Sequence, residues 1–513
     1  MVTPRKSLTQ RQTTSPSTGV RDPRGDSDAS HKIALGLLAF FFVLASWLFG
    51  GVVLWTRQVL FGAALLPFLL ALAPIPNRAE RTGARAASAR AFRRLVLFPP
   101  FWFGLLLFAY VGLQWSNPAW TYTEIGGKWW ISNAGLQPNP DWPTSVHAPP
   151  ERGNPASFLL RFGAVWMVVC AGWILVRRRR DLLVVLVPFA VNSFLVALVA
   201  VIQEMRPPDK VLWLYPWEGN DFSGPFFYRN HGGAFFYSAM TVCFGLALFF
   251  QRTKDPSTGK GSPGPVFVVF ALMNAGAVAA SGSRAGWIFG AAGLIVYVVL
   301  ATGVWLRRSE WRGSWVGGAT VGACIAVLAA SIVASQNTAY LEHHFRRFLN
   351  IPAELDSSGR TIGNEASLAM FGDVPVFGYG ADSYGHVFSL YIDEFPQLVR
   401  RNRRTGRIRT NWVQAHNDPL QYAVELGLVG ALLLALSPLY FVLVFLARLL
   451  RFRDESLLWL AGILFLFAHS FAELLFQSVI LLALFSFLFL AVERSLRFEG
   501  DEPAGRPRRA PPR

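Results

Sequence analysis

Apolar runs of bilayer-crossing length recur along this chain from end to end. A membrane-spanning helix needs about 20 predominantly apolar residues. Runs of that kind lie near 33–54, 58–76, 95–114, 157–176, 182–203, 232–251, 265–281, 285–306, 315–335, 419–447, 456–472 and 474–493. Two pairs are tight: 265–281 and 285–306 are parted by Gly282, Ser283 and Arg284, and the last two runs hinge near Glu473. Of the 513 residues, 53% are hydrophobic and 15% charged, against about 25% charged in soluble domains. Mean hydropathy is +0.36. These values exclude a disordered or fibrous chain and argue against a soluble enzyme. They predict an all-α, polytopic integral membrane protein with about 12 transmembrane helices.

The formal net charge of +17 would suit a nucleic-acid binder, but the charges sit between the apolar runs, so no nucleic-acid partner is expected. Cytoplasmic loops carry an excess of Lys and Arg. With the N-terminus inside, the inner segments hold 31 of the 48 Lys and Arg, and every short inner loop agrees with one alternating topology. Nine of the remaining 17 fall in one long segment, 336–418, and long loops obey the rule poorly. The expected organisation is a disordered cytoplasmic tail (1–32), nine transmembrane helices within 33–335 including an outer segment 115–156, a large outer loop (336–418), three more helices within 419–493, and a basic cytoplasmic tail (494–513). No cleavable signal peptide is evident, so the first run is expected to act as an uncleaved anchor.

Segment 115–156, with Trp115, Trp120, Trp129, Trp130 and Trp142, is expected to lie against the membrane surface, which Trp favours. Loop 336–418 is long enough to be functional, and short amphipathic helices are expected at 338–349 and 362–372. Cys170, Cys243 and Cys324 all lie in apolar stretches without metal or disulfide spacing. No compact carboxylate set suits a divalent ion, so no metal and no cofactor are expected.

Four clusters carry polar chemistry near the outer ends of helices. Arg229, Asn230 and His231 precede the sixth run, where free backbone N–H groups favour anions, although taken alone the cluster reads better as an interfacial arginine with an Asn cap. Ser283 and Arg284 occupy a tight turn near the hydrocarbon boundary, where ionisable groups are expensive and usually functional. Arg360 is followed by Pro375 to Gly380, whose glycines allow a close backbone path near a ligand, although taken alone that segment reads better as a simple turn. His416 precedes Asn417, Gln421 and Glu425, which recur every four residues and share one helix face. His416 could accept a proton at neutral pH, oriented by Asn417 or Asp418. His469 and Glu473 form a similar i, i+4 pair that reads as structural. Six arginines within 400–409 read as a solvated face, or as a phosphate- or glycan-facing patch.

The order of these motifs resembles the O-antigen ligase and polymerase family of bacterial envelopes. The matching segments are Gly224–His231, Ser283–Trp287, Arg360 with Pro375–Gly380, and His416–Gly427, where Pro419 replaces a commoner aromatic. The resemblance covers roughly 220–430. It implies a GT-C-type glycosyltransferase fold in the bacterial inner membrane, with a site facing the periplasm. It also implies metal-independent, inverting transfer of a glycan from undecaprenyl diphosphate to an acceptor hydroxyl. The acceptor would be lipid A–core for a ligase, or a second lipid-linked glycan for a polymerase. By motif position, His416 takes the catalytic role and Arg229, Arg284 and Arg360 the diphosphate. Asn230, His231, Ser283, Asn417, Gln421 and Glu425 support them. Two other classes compete. A lipid-linked sugar transporter would place ionisable groups near the bilayer midplane. A scaffold docking anionic lipid would leave the outer Arg and His set unexplained.

Overall fold

The computed structural model describes residues 29–73, 81–133, 142–205, 210–216, 222–252, 262–307, 359–401, 408–410 and 412–498. Helices dominate: α1 (Ala29–Trp47), α2 (Leu54–Leu72), α3 (Arg81–Val96), α4 (Pro99–Ser116), α5 (Pro155–Leu175), α6 (Arg179–Met205), α7 (Arg229–Arg252), α8 (Gly264–Ala280), α9 (Arg284–Arg307), α10 (Arg360–Asp373), α11 (Asp418–Ala447), α12 (Asp454–Ser470) and α13 (Val479–Arg497). Eight of these (α1, α2, α5, α6, α7, α9, α11 and α13) are long and apolar enough to cross a membrane, and the bent pair α3–α4 makes up to nine. This is a multi-pass membrane protein. Helices α8 and α12 coincide with expected spans but reach only 17 residues. The run at 315–335 and the expected helix at 338–349 lie outside the described residues, so the figure of twelve spans rests on sequence alone.

Burial decides which helices form the middle of the bundle. In α13, α7 and α5, 94%, 89% and 83% of the apolar window is covered by protein, against 22% in α9 and 17% in α11. Helix α7 packs on α8, α9 and α12, while α5 packs on α2, α4 and α13. The central helices are apolar around their whole circumference, as buried helices must be. Phe42, Phe189, Phe235, Phe487 and Trp459 fill the space between them.

Three departures from the sequence reading matter. First, the structure is not purely helical. Strands β1 (Pro118–Ile125), β2 (Lys128–Asn133) and β3 (Ser145–His147) form a sheet in the order β2-β1-β3. Gly126 and Gly127, both at positive φ, make the two-residue turn that a β1–β2 hairpin favours. Short pairs also form at β4 (Lys210–Val211) with β5 (Tyr215–Pro216), and at β6 (Arg400–Arg401) with β7 (Ile408–Thr410). Second, the sheet packs on the loop that follows residue 359. Val146 of β3, together with Met370, Tyr384, Phe388, Leu398, Ala415 and Val424, forms a second core, and Trp120, Tyr122 and Ile131 pack on it. The described parts of 115–156 and of 336–418 thus build one lobe at one end of the bundle. Third, α13 begins at Val479, not near 474, so residues 471–478 are a non-helical connector.

The lobe is stitched into α11. That helix breaks at Gly427 (φ 61, ψ −173), which leaves backbone groups without helical partners. Residues 375–380 supply them. Leu428 N–H donates to Pro375 O (2.7 Å), Val429 N–H to Val376 O (3.1 Å), Tyr379 N–H to Val424 O (3.0 Å) and Gly380 N–H to Glu425 O (2.8 Å). A Cβ on Gly378 would stand 2.4 Å from Gly427 N, and one on Gly427 2.5 Å from Gly378 N. The paired glycines let two backbones touch. From α4, Tyr110 OH donates to Phe377 O (2.8 Å) and Leu426 O (2.6 Å), and the Gln114 amide donates to Phe377 O (3.0 Å) and Glu425 O (3.1 Å).

Candidate active site

The polar motifs meet where the first turns of α7 and α9, the start of α10, the approach to α11 and the 471–478 connector come together. At α7, Ser281 and Ser283 pack directly on Gly233, where any Cβ would meet the Ser283 Cβ at 2.7 Å. Ser283 caps α9, its Oγ accepting from Gly286 N–H (3.1 Å). Arg229 and Arg284 are the first residues of these two touching helices, and both are half-buried. The positive ends of two helix dipoles and two guanidinium-bearing residues are therefore delivered to one region.

Glu473 is the hub. It is 2% exposed. Its Oε1 accepts from Asn230 Nδ2 (2.6 Å) and from Arg360, and its Oε2 accepts from Tyr228 OH (2.9 Å) and faces His416 Nδ1 at 3.2 Å. A carboxylate can only accept, so Nδ1 carries the proton and Nε2 holds the imidazole lone pair. The neighbouring His231 ring nitrogen lies against Leu474 O, so α7 grips the connector at two successive residues.

His416 sits in a left-handed conformation (φ 54), uncommon for a residue with a side chain. Local bonds hold it there. Ala415 N–H donates to Gln421 Oε1 (3.1 Å), and Asn417 Oδ1 caps α11 by accepting from Leu420 N–H (3.1 Å). The Trp412 ring lies 5.0 Å from the imidazole, and Trp412 itself rests on Gly363 of α10. Burial first, then the nearby Arg360 and His231, push His416 down to about 4. The imidazole is neutral at pH 7.

Beneath this hub the connector is fixed from below. Asp418 Oδ2 accepts from Leu475 N–H (2.7 Å) and Phe476 N–H (3.0 Å). Gln477 pairs with Arg161 of α5, a fully buried guanidinium whose Nη2 donates to Asp382 Oδ1 (2.7 Å). Arg57 of α2 approaches Asp382 Oδ2 at 3.6 Å. Asp382 N–H donates to Glu425 Oε2 (3.0 Å), and Gln421 Nε2 donates to Glu425 Oε1 (2.9 Å). Among the described residues no group of three or more His, Cys, Asp or Glu side chains could hold a metal ion.

Of the expected residues, Asn230, Arg360 and His416 share Glu473; Arg229 and His231 flank Asn230 in the first turn of α7, and Ser283 and Arg284 open α9, which packs on that turn at Gly233. Asn417, Gln421 and Glu425 do lie on one helix face, but their partners are structural: a cap, a backbone N–H and the lobe. Neither Asn417 nor Asp418 orients the imidazole; Glu473 does. The i, i+4 pairing of His469 with Glu473 does not occur, because α12 ends at Ser470 and His469 instead meets Tyr237 OH (3.2 Å). Arg57, Arg161 and Asp382 were missed as well. Lone arginines within apolar stretches were the signal available, since ionisable groups there are costly unless paired. Of the arginine run at 400–409, positions 402–407 lie outside the described residues.

No curated protein matches the chain. Residues 268–435, about a third of the chain, match the family described as O-antigen ligase. That segment includes Arg284, Arg360 and His416 and stops short of Glu473. The match bears out the resemblance carried by the sequence motifs and places this segment of a multi-pass membrane protein in the O-antigen ligase/polymerase family.

Proposed function

We propose that the protein is a membrane glycosyltransferase that moves a glycan from undecaprenyl diphosphate onto an acceptor hydroxyl, with lipid A–core as the acceptor. The observation that carries this reading is the His416–Glu473 pair set beside the arginine-bearing N-termini of α7 and α9. His416 Nε2 takes the proton of the acceptor hydroxyl as that oxygen attacks the anomeric carbon. The bond from that carbon to the diphosphate oxygen breaks, and the electron pair leaves with the diphosphate. Attack opposite the leaving group inverts the anomeric centre. Glu473 holds the imidazole tautomer and stabilises the imidazolium that forms, as a buried carboxylate does for a general base.

The charge gathering on the diphosphate is met by Arg229, Arg284 and Arg360. Guanidinium groups suit phosphate geometry, and preorganised positive groups can supply such stabilisation by themselves. In this reading the lobe end faces the periplasm and the Arg-rich end the cytoplasm. The candidate groups gather at the lobe end, which suits surface catalysis better than transport through the midplane.

The test is a gel profile of envelope glycans and of the lipid-linked pool in cells lacking the protein. The expected result is long polymer retained on undecaprenyl diphosphate with bare lipid A–core. Core capped by one repeat unit would replace the ligase with a polymerase. An unchanged profile in a strain that makes such glycans would remove both.

A further inference from the structure

At the end of the bundle remote from the lobe, three elements converge on Trp173, near the end of α5. The Phe98 ring, between α3 and α4, stacks on it at 4.1 Å. The Arg494 guanidinium of α13 lies 4.0 Å over the ring and that of Arg497 at 5.2 Å. The indole N–H donates to Arg94 O of α3 (3.2 Å), and Arg494 Nη2 donates to Trp173 O (2.6 Å). The α5–α6 turn adds Arg177 and Arg178, whose backbone N–H groups both donate to Asp181 Oδ2 at 2.9 Å. Arg177 is close enough to Arg94, Arg90 and Arg178 to feel their charge, and Arg494 feels Arg497 and Arg94.

Six arginines from three elements thus share one small region: Arg90, Arg94, Arg177, Arg178, Arg494 and Arg497. Among the described residues, Glu493 pairs with Arg494 (3.7 Å) and Arg497, and Asp181 accepts from the α5–α6 turn. Like charges held together cost free energy unless an anion stands among them. Helix α3 offers a place for such an anion. It carries no acidic residue and turns 69° away from α4, the geometry of a helix lying along a membrane surface beside a spanning one. Its Ala91 and Leu95 form the seam against the protein. Arg90 and Arg94 are exposed on one flank of that seam, Phe92, 61% exposed, lies on the other, and Arg93 is exposed on the face opposite it. An exposed ring with a cationic flank is how an interfacial helix enters the headgroup boundary.

We propose that α3, the α5–α6 turn and the end of α13 form a binding site for the phosphate of an anionic phospholipid, in the leaflet opposite the candidate active site. The guanidinium groups of Arg90, Arg94 and Arg177 hold the phosphate, and Phe92 enters the acyl boundary beside it. Arginine clusters near spanning helices bind acidic headgroups in this way. The site is independent of the transfer chemistry, and its residues touch none of the groups assigned to that reaction.

The full chain, purified in mild detergent, is titrated with phosphatidylglycerol and with phosphatidylcholine, and bound lipid is counted by native mass spectrometry. The expected result is at least a tenfold preference for phosphatidylglycerol in the wild type, falling below twofold in R90E/R94E and largely kept in R90K/R94K. All variants are compared at equal monodispersity, which separates loss of the site from loss of the fold. Inorganic phosphate at millimolar concentration should not displace the lipid. Equal retention of the two lipids by the wild type, an unchanged preference in R90E/R94E, or full displacement by inorganic phosphate would each overturn the proposal. The first two outcomes remove the charge-reading site, and the third makes it a site for free phosphate.

Discussion

His416 and Glu473 work as a pair because each solves a problem the other poses. A carboxylate that is 2% exposed needs donors, and Glu473 finds them in Tyr228, Asn230, Arg360 and the His416 Nδ1–H. In the proposed mechanism the base must be neutral at its working pH, and burial beside Arg360 and His231 lowers His416 to about 4. A pKa lowered by folding means that the extra protons bind the unfolded chain. The stability this contributes is complete above the ordinary imidazole value and is lost as the pH falls towards about 4. Activity should follow the same limb. A pH–rate profile should stay flat from pH 7 to about 5 and lose half its height near 4; half-loss near the ordinary imidazole value of about 6.5 would remove the assigned environment. Glu473→Gln keeps the shape but lets the imidazole choose its tautomer. It should cut kcat about 100-fold while KM for the donor changes little, as read by steady-state transfer assays. Arg284→Ala should instead raise KM for the lipid diphosphate more than KM for the acceptor.

At the scale of elements, the broken helix α11 explains what the Pro375–Gly380 motif is for. Its glycines approach a backbone, that of α11, and the strap completes hydrogen bonds that the break at Gly427 leaves open. Gly378→Ala and Gly427→Ala each place a Cβ within about 2.5 Å of backbone at a positive φ. Each should cost about 1–3 kcal/mol from the strained conformation alone, with the clash in addition. Gly372→Ala, whose Cβ would meet nothing within 4 Å, should leave the melting temperature unchanged. A similar fall in all three would mean that the strap is not what α11 leans on. Much of this level was legible in the residues. Apolar length located most of the described long helices, though not α3 or the start of α13, and the i, i+4 spacing put Asn417, Gln421 and Glu425 on one face. Glu473 stood out in the residues only as a hinge and as an i, i+4 partner of His469; its meeting with His416 joins segments 57 residues apart and leaves no local pattern. The role of 375–380 was hidden because its partner lies some fifty residues away, and hydrogen bonds between distant backbones leave no local pattern.

At the scale of the whole molecule, a buried charge cluster joins the bundle to the lobe. Arg161 of α5 and Arg57 of α2 converge on Asp382 of the lobe, and Arg161 also holds Gln477 of the connector that carries Glu473. Leaving Asp382 without its fully buried partner, as in Arg161→Met, should cost about 3–5 kcal/mol. The triple variant Arg161→Met, Arg57→Met and Asp382→Asn, in which Asn tolerates the left-handed backbone at 382 (φ 56) and no buried charge is left without its partner, should recover part of that loss, as measured by thermal unfolding in detergent. No recovery would mean that the pair is not the joint. The consequence for function is geometric: a rigid joint fixes the distance between the connector and the His416 segment, and with it the His416–Glu473 contact. The most direct test of the account is transfer by the purified protein in liposomes, with an undecaprenyl-diphosphate glycan as donor and lipid A–core as acceptor. The wild type should form the glycosidic bond with inversion at the anomeric carbon, and His416→Ala, equally abundant and equally folded, should lose at least about 100-fold in rate. Transfer by His416→Ala at a near-normal rate, or a product that retains the donor's anomeric configuration, would contradict it.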